Sequence, residues 1–149
     1  MVQYTYRFEK IMTIREQEKQ QTEQAYKEAV RYFEEVATKL YDLLKKKEDL
    51  ITYQNDRLAI GSTVDEIHHF ATFIDSLEHS IADVQQKVVQ ARAKMNWHEQ
   101  KLLEKNLEIR KFEKMKEKDF ATYKTEQDRV EMLYLDEISS LMYSKKEFR

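Results

Sequence analysis

From residue 70 to residue 112 one line of mainly apolar side chains recurs, spaced alternately four and three apart. The line reads Phe70, Ile74, Leu77, Ile81, Val84, Val88, Ala91, Met95, His98, Leu102, Lys105, Ile109, Phe112. The spacing averages 3.5 residues, which is the repeat of a left-handed coiled coil. Only His98 and Lys105 interrupt it. A second stripe precedes it: Tyr26, Ala29, Phe33, Val36, Leu40, Leu43, Lys47, Leu50. Ahead of that stripe, residues 15–24 contain no large apolar side chain. Phe8, Ile11 and Met12 restore hydrophobicity towards the N-terminus.

Between the two stripes stands Gly61, the one glycine of the chain, and there is no proline. Average usage predicts about ten glycines and seven prolines in this length. A chain without breakers has few places to turn, so long helices follow. Gly61 can adopt the left-handed conformation that ends a helix. Thr63 can cap the next helix, with Glu66 three residues on closing a capping box. The predicted fold is all-α: a long two-helix antiparallel coiled-coil hairpin with its bend at Gly61. The first helix is expected over about 4–60, the bend over 61–63 and the second helix over about 64–144. Residues 1–149 are expected to form one coiled-coil stalk, because no linker composition appears.

Folding at Gly61 sets residue i roughly opposite residue 122 − i. Phe33 then faces Val88 and Val89, and Leu50 lies near Ile74. The polar stretch 15–24 falls opposite 98–107, where the second stripe has its two polar members. That coincidence supports the register and predicts a soft segment, since polar seam positions lower coiled-coil stability. Phe8 and Ile11 are expected to pack near Ile109 to Met115. The arms are unequal: about 57 residues span roughly 85 Å, whereas the second helix reaches roughly 120 Å. The last residues, from about Phe120, should overshoot the N-terminus. There Val130, Leu133, Tyr134, Ile138, Leu141 and Met142 share one face. Such a stripe marks a partner site, or else the tail folds back, frays or self-associates.

Composition narrows the functions. Charged residues make up 36 % of the chain and apolar residues 41 %, with a mean hydropathy of −0.83. Together with the helical period this is a coiled-coil composition. The net charge of −2 argues against nucleic-acid binding, which needs a basic face. Without cysteine there is no disulfide framework, thiolate metal site or Cys nucleophile. No apolar run approaches the ~20 residues of a membrane span. The N-terminal segment carries Glu9, Glu16 and Glu18 and does not read as a signal peptide. A cytoplasmic, monomeric chain is expected.

Catalytic chemistry finds no support. Asp65 and His69 lie one turn apart, but no further ligands join them into a metal site. His98 reads as a polar spacer in the seam. Pairs such as Glu16 with Lys19 and Glu113 with Lys116 are solvated helix-face charges. Gly-rich phosphate loops, GxSxG and HExxH are absent, and a helix pair lacks the concave pocket an active site wants. No enzyme, cofactor or metal is expected. The aromatics near the bend, Tyr41, Tyr53, Phe70 and Phe73, are more telling. Phe73 sits one step off the seam, beside Ile74, and exposed aromatic anchors are a mark of protein interfaces.

Several segments resemble the FliJ family of flagellar export proteins. They are Tyr6-Arg7-Phe8-Glu9-Lys10-Ile11 leading into Ile14-Arg15-Glu16, and Phe73-Ile74-Asp75-Ser76-Leu77-Glu78-His79-Ser80-Ile81. Residues 104–115 look like the Gram-positive version, and Leu135-Asp136-Glu137-Ile138 resembles an acidic motif of the tail. The resemblance covers nearly the whole chain. It implies a coiled coil similar to the central stalk of rotary ATPases, with its termini in the ring of the hexameric flagellar export ATPase. Near the bend such a stalk touches the cytoplasmic domain of the export-gate membrane protein, and it also handles export chaperones. Carried over, the gate-binding residues are Phe73, Leu77, Ser80 and Val84, with Leu43, Leu50 and Tyr53 on the first helix. The ATPase ring is expected to meet Phe8, Ile11, Lys111, Lys114, Lys118, Leu133 and Ile138. The implied location is cytoplasmic, peripheral to the membrane at the flagellar base. The alternative is a general cytoplasmic coiled-coil chaperone or adaptor.

Overall fold

The structure is a computed structural model that describes residues 4–147. Two helices account for nearly all of it: α1, Glu9–Ile60, and α2, Val64–Glu147, of 52 and 84 residues. No strand occurs among the described residues. The two run antiparallel from the bend, as the paired stripes require.

The bend is built by three local devices. Gly61 takes φ = 118°, and its N–H bonds the Arg57 carbonyl at 3.0 Å. Thr63 Oγ1 accepts the Glu66 N–H at 3.2 Å, and the Ser62 hydroxyl donates to Glu66 Oε2 at 2.8 Å. The Ser62 hydroxyl and then the Thr63 backbone N–H hold the Glu66 carboxyl below the usual carboxylate range. A Cβ at Gly61 would meet nothing within 4 Å, so a substitution there costs backbone strain alone. Gly61→Ala is expected to lower the stability by about 1–3 kcal/mol. A urea titration should show a lower midpoint at an unchanged slope.

The packing groups into two compact units, Gln20–Leu103 and Met1–Lys19 with Glu104–Arg149. In the Gln20–Leu103 unit the seam follows both stripes. Ala29 and Val36 from α1, with Leu77, Ile81, Val84 and Ala91 from α2, are buried. Phe33, Leu40, Leu43 and Leu50 are half-buried beside them, as are Phe70, Ile74 and Val88. No described side chain is fully enclosed, because two helices cover only one face of each other. Lys47 and Glu78 cross the seam edge at 3.2 Å.

The second unit departs from expectation at its N-terminal end. Helix α1 starts at Glu9, not near residue 4. Tyr4 to Tyr6 have no regular structure, and a turn closes through the Glu9 N–H to Tyr6 carbonyl bond at 3.2 Å. Tyr6 is buried, and its hydroxyl donates to the Phe112 carbonyl at 3.3 Å. Tyr4 lies 5.1 Å from the rings of both Phe120 and Tyr123. Its hydroxyl donates to Asp119 at 2.9 Å. The residues that close this end are therefore Tyr6 and Met12 with Ile109, not Phe8 and Ile11. Met12 is buried whereas Ile11 is exposed. Continuing the first stripe backwards in heptads through Thr22, Lys19 and Arg15 arrives at Met12, so Ile11 falls beside the seam.

The cross-helix pairs Arg15–Glu108, Glu18–Lys105 and Arg57–Glu66 have residue numbers adding to 123. Lys47–Glu78 and Glu9–Lys116 add to 125. The register is thus one to three residues later than the expected 122, because the bend consumes Gly61 to Thr63 before α2 begins. Pairing extends as far as Tyr123. Beyond it α2 continues as a single helix among the described residues, so the overshoot starts later than Phe120. Its positions 148 and 149 lie outside the described residues.

Candidate partner-binding surface

Within the Gln20–Leu103 unit, both helices turn one face towards a hollow beside the bend. Helix α1 supplies Leu50, Tyr53, Gln54 and Arg57, and α2 supplies Glu66, His69, Phe70 and Phe73. Each set follows the spacing i, i+3, i+4, i+7, which lines up side chains on one helix face. Leu58, Ser62 and Ile67 complete a hollow of about 530 Å³. Its floor is apolar and aromatic. Its rim is polar, with Arg57 and Glu66 paired at 3.7 Å. A neighbouring hollow of about 500 Å³ is lined by Asp42, Lys45, Lys46 and Asp49. Leu50, Tyr53 and Phe73 line both.

Phe73 is 47 % exposed and Tyr53 58 %. The Lys46 ammonium stands 5.4 Å from the Phe73 ring centre, within cation–π range. A large apolar ring beside a cation and an open hollow is the kind of anchor protein interfaces use.

Of the residues the resemblance assigns to the gate, three converge here: Phe73, Tyr53 and Leu50. Leu77 and Val84 do not. They are only 6 % and 8 % exposed, because their side chains fill the seam against α1. Leu43 is half-buried in the same seam, and Ser80 is exposed without lining either hollow. Helix periodicity explains most of the split: Leu77, Val84 and Leu43 are stripe members, whereas Phe73 and Tyr53 lie beside the stripes; Leu50, the last stripe member before the bend, is half-buried and reaches the hollow from the seam. Lys46, Arg57, Leu58 and Ile67 were not singled out from sequence. For Leu58 and Ile67 the signal was an apolar residue off the stripe within two turns of Gly61.

The other unit carries the residues assigned to the ATPase ring. Phe8 is half-buried, 5.8 Å from the Tyr6 ring, with the Arg7 guanidinium over it at 5.4 Å. Lys111, Lys114 and Lys118 are exposed, and Lys116 between them pairs with Glu9 at 3.2 Å. On the single helix past Tyr123, Val130, Leu133, Tyr134, Leu141 and Met142 are exposed and Ile138 is half-buried. The apolar face read from the sequence is thus laid along one helix.

The seam of this unit is charged. Arg15 Nη1 lies 3.0 Å from Glu18 and Arg15 Nε 3.0 Å from Glu108. The latter contact is an ion pair too bent to make a hydrogen bond. Lys105 Nζ lies 3.1 Å from Glu18 and 3.9 Å from Glu108. Hydrogen bonds from Lys105 and then Arg15 hold the Glu18 carboxyl below the usual range. Burial, with the bond to Asp119, pushes the Tyr4 hydroxyl up to about 12.

The histidines gather no site. His68 and His69 are 6.5 Å apart by ring centres, and His79 pairs with Asp75 at 3.8 Å. No metal-binding cluster occurs among the described residues. No described helix is long and apolar enough to cross a membrane.

Comparison with known proteins bears on the whole chain. The family described as "Flagellar FliJ protein" matches residues 4–148. The flagellar FliJ protein of Bacillus subtilis strain 168 is 39 % identical over 136 residues, covering 91 % of this chain and 92 % of the relative. The structure of a YscO homologue from Chlamydia trachomatis superposes with a TM-score of 0.63, covering 99 % of both chains. At 20 % identity that likeness speaks to the fold. With both helices, the bend and the tail inside a single match, the chain belongs to the flagellar FliJ family.

Proposed function

We propose that this chain, a flagellar type III export component by family, works as a non-enzymatic stalk. It would link the hexameric export ATPase to the cytoplasmic domain of the export-gate membrane protein, at the cytoplasmic side of the membrane, and assist export chaperones. The observation that carries the reading is the meeting of Phe73, Tyr53 and Leu50 on one hollow. These residues come from two helices, and the family resemblance assigns all three to the gate contact. Phe73 and Tyr53 hold apolar rings in water that the fold does not use. A partner that covers them gains the burial that the seam leaves undone.

The test is calorimetric titration of the gate's cytoplasmic domain with single variants. Phe73→Ala and Tyr53→Ala should each weaken binding by more than about 1 kcal/mol, roughly five- to tenfold. Helicity by circular dichroism should stay unchanged, since neither ring is in the seam. Wild-type affinity in both variants would remove the hollow from the interface.

A further inference from the structure

Two different chemistries hold the helices together in the two units. In the Gln20–Leu103 unit the contact is an apolar stripe, with Ala29, Val36, Leu77 and Ile81 at its centre. In the other unit, the arm 4–19 buries only Tyr6 and Met12. Its remaining side-chain holds on α2 are mostly charged or polar: Arg15–Glu108, Glu18–Lys105, Glu9–Lys116 and Tyr4–Asp119.

Arg15, Glu18, Lys105 and Glu108 form one layer inside this seam, each cation touching an anion on either helix. Their side chains are 30–36 % exposed, so water and salt reach them. An isolated pair this exposed contributes little net stability and is screened by salt, but several charges joined in one network hold more than isolated pairs do. Stripping the layer of charge on one sign only, however, leaves like charges facing each other in the seam.

We infer that this layer is an electrostatic latch. It seats the arm 4–19 on α2 at low salt and neutral pH, and lets that arm release at high ionic strength or in acid while the Gln20–Leu103 hairpin stays closed. For acid the sign is definite. Glu18 faces Arg15 on its own helix and Lys105 and Glu108 on α2. Its carboxyl is held below the unfolded value, so its contribution is full above that value and is lost as the pH falls through the lower folded one. Protonating Glu18 then removes the anion that Arg15 and Lys105 share across the seam. Release would expose Tyr6, Met12 and Ile109, which are otherwise shut away.

The chain has no cysteine, so spin labels can be placed cleanly. One pair, Thr13→Cys with Lys111→Cys, reports on the arm. A second, Tyr41→Cys with Asp83→Cys, reports on the hairpin. All four positions are exposed. In about 1 M salt, where the screening length is about 3 Å, the arm pair should lose at least about half of its short-distance population. The same loss is expected as the pH is titrated from neutral to well below the ordinary carboxylate range of about 4. The hairpin pair should stay short under both conditions. Replacing Arg15, Glu18, Lys105 and Glu108 by leucine together should keep the arm pair short in salt and in acid. An arm pair that stays short in the wild-type protein overturns the inference. So does opening of both pairs together, or release of the all-leucine arm as readily as the wild type.

Discussion

Leu77→Ala should destabilise the protein by about 2–4 kcal/mol, the range for truncating a buried leucine. Phe73→Ala, four residues away, should change stability by less than about 0.5 kcal/mol. The two residues stand four apart on α2 and face differently: Leu77 is buried and Phe73 is 47 % exposed. Leu77 is in the seam with Ile81 and Val84 as helical neighbours, and its truncation leaves a gap that two helices cannot close without shifting. Phe73 loses a ring that is already half in water. Urea titration followed by circular dichroism separates them. A Leu77→Ala midpoint equal to that of the wild type would mean that the seam is not packed as described. On the proposed function, any loss of gate binding in Leu77→Ala should track its lost structure and be restored at lower temperature, whereas the loss in Phe73→Ala should not.

On the proposed function, removing residues 130–149 should abolish most stimulation of the export ATPase, weakening association with its ring by more than about 2 kcal/mol, roughly thirtyfold. The truncation takes away Val130, Leu133, Tyr134, Ile138, Leu141 and Met142, an apolar face that nothing among the described residues covers. It leaves the Gln20–Leu103 unit whole, so gate binding and the Phe73 hollow should be unaffected. Reversing Lys111, Lys114 and Lys118 together should act in the same direction, more strongly at low salt where exposed charges are less screened. ATPase assays with the purified hexamer measure both. Full stimulation by the truncated chain, with gate binding lost instead, would show that the roles of the two units are exchanged.

The architecture was legible in the residues themselves. Every member of both stripes turned out buried or half-buried, because a 3.5-residue repeat leaves a helix only one face to bury. Gly61 and the Ser62-Thr63-Glu66 cap could likewise be read, since a bend and a helix start depend on a few neighbouring residues. The tail's apolar face is local for the same reason. What the helix partner decided was finer. That Leu77 and Val84 serve the seam and not a partner follows from α1 lying over them. That Tyr4 and Tyr6 leave the helix to reach Asp119 and Phe112 depends on residues more than a hundred positions away. The charged layer needed the true register, one residue from the expected one, before Arg15 met Glu108 and Glu18 met Lys105. Periodicity states which face of a helix is buried; only the packed pair states what each side chain meets there, because a repeating stripe looks the same after a small slide and a salt bridge does not.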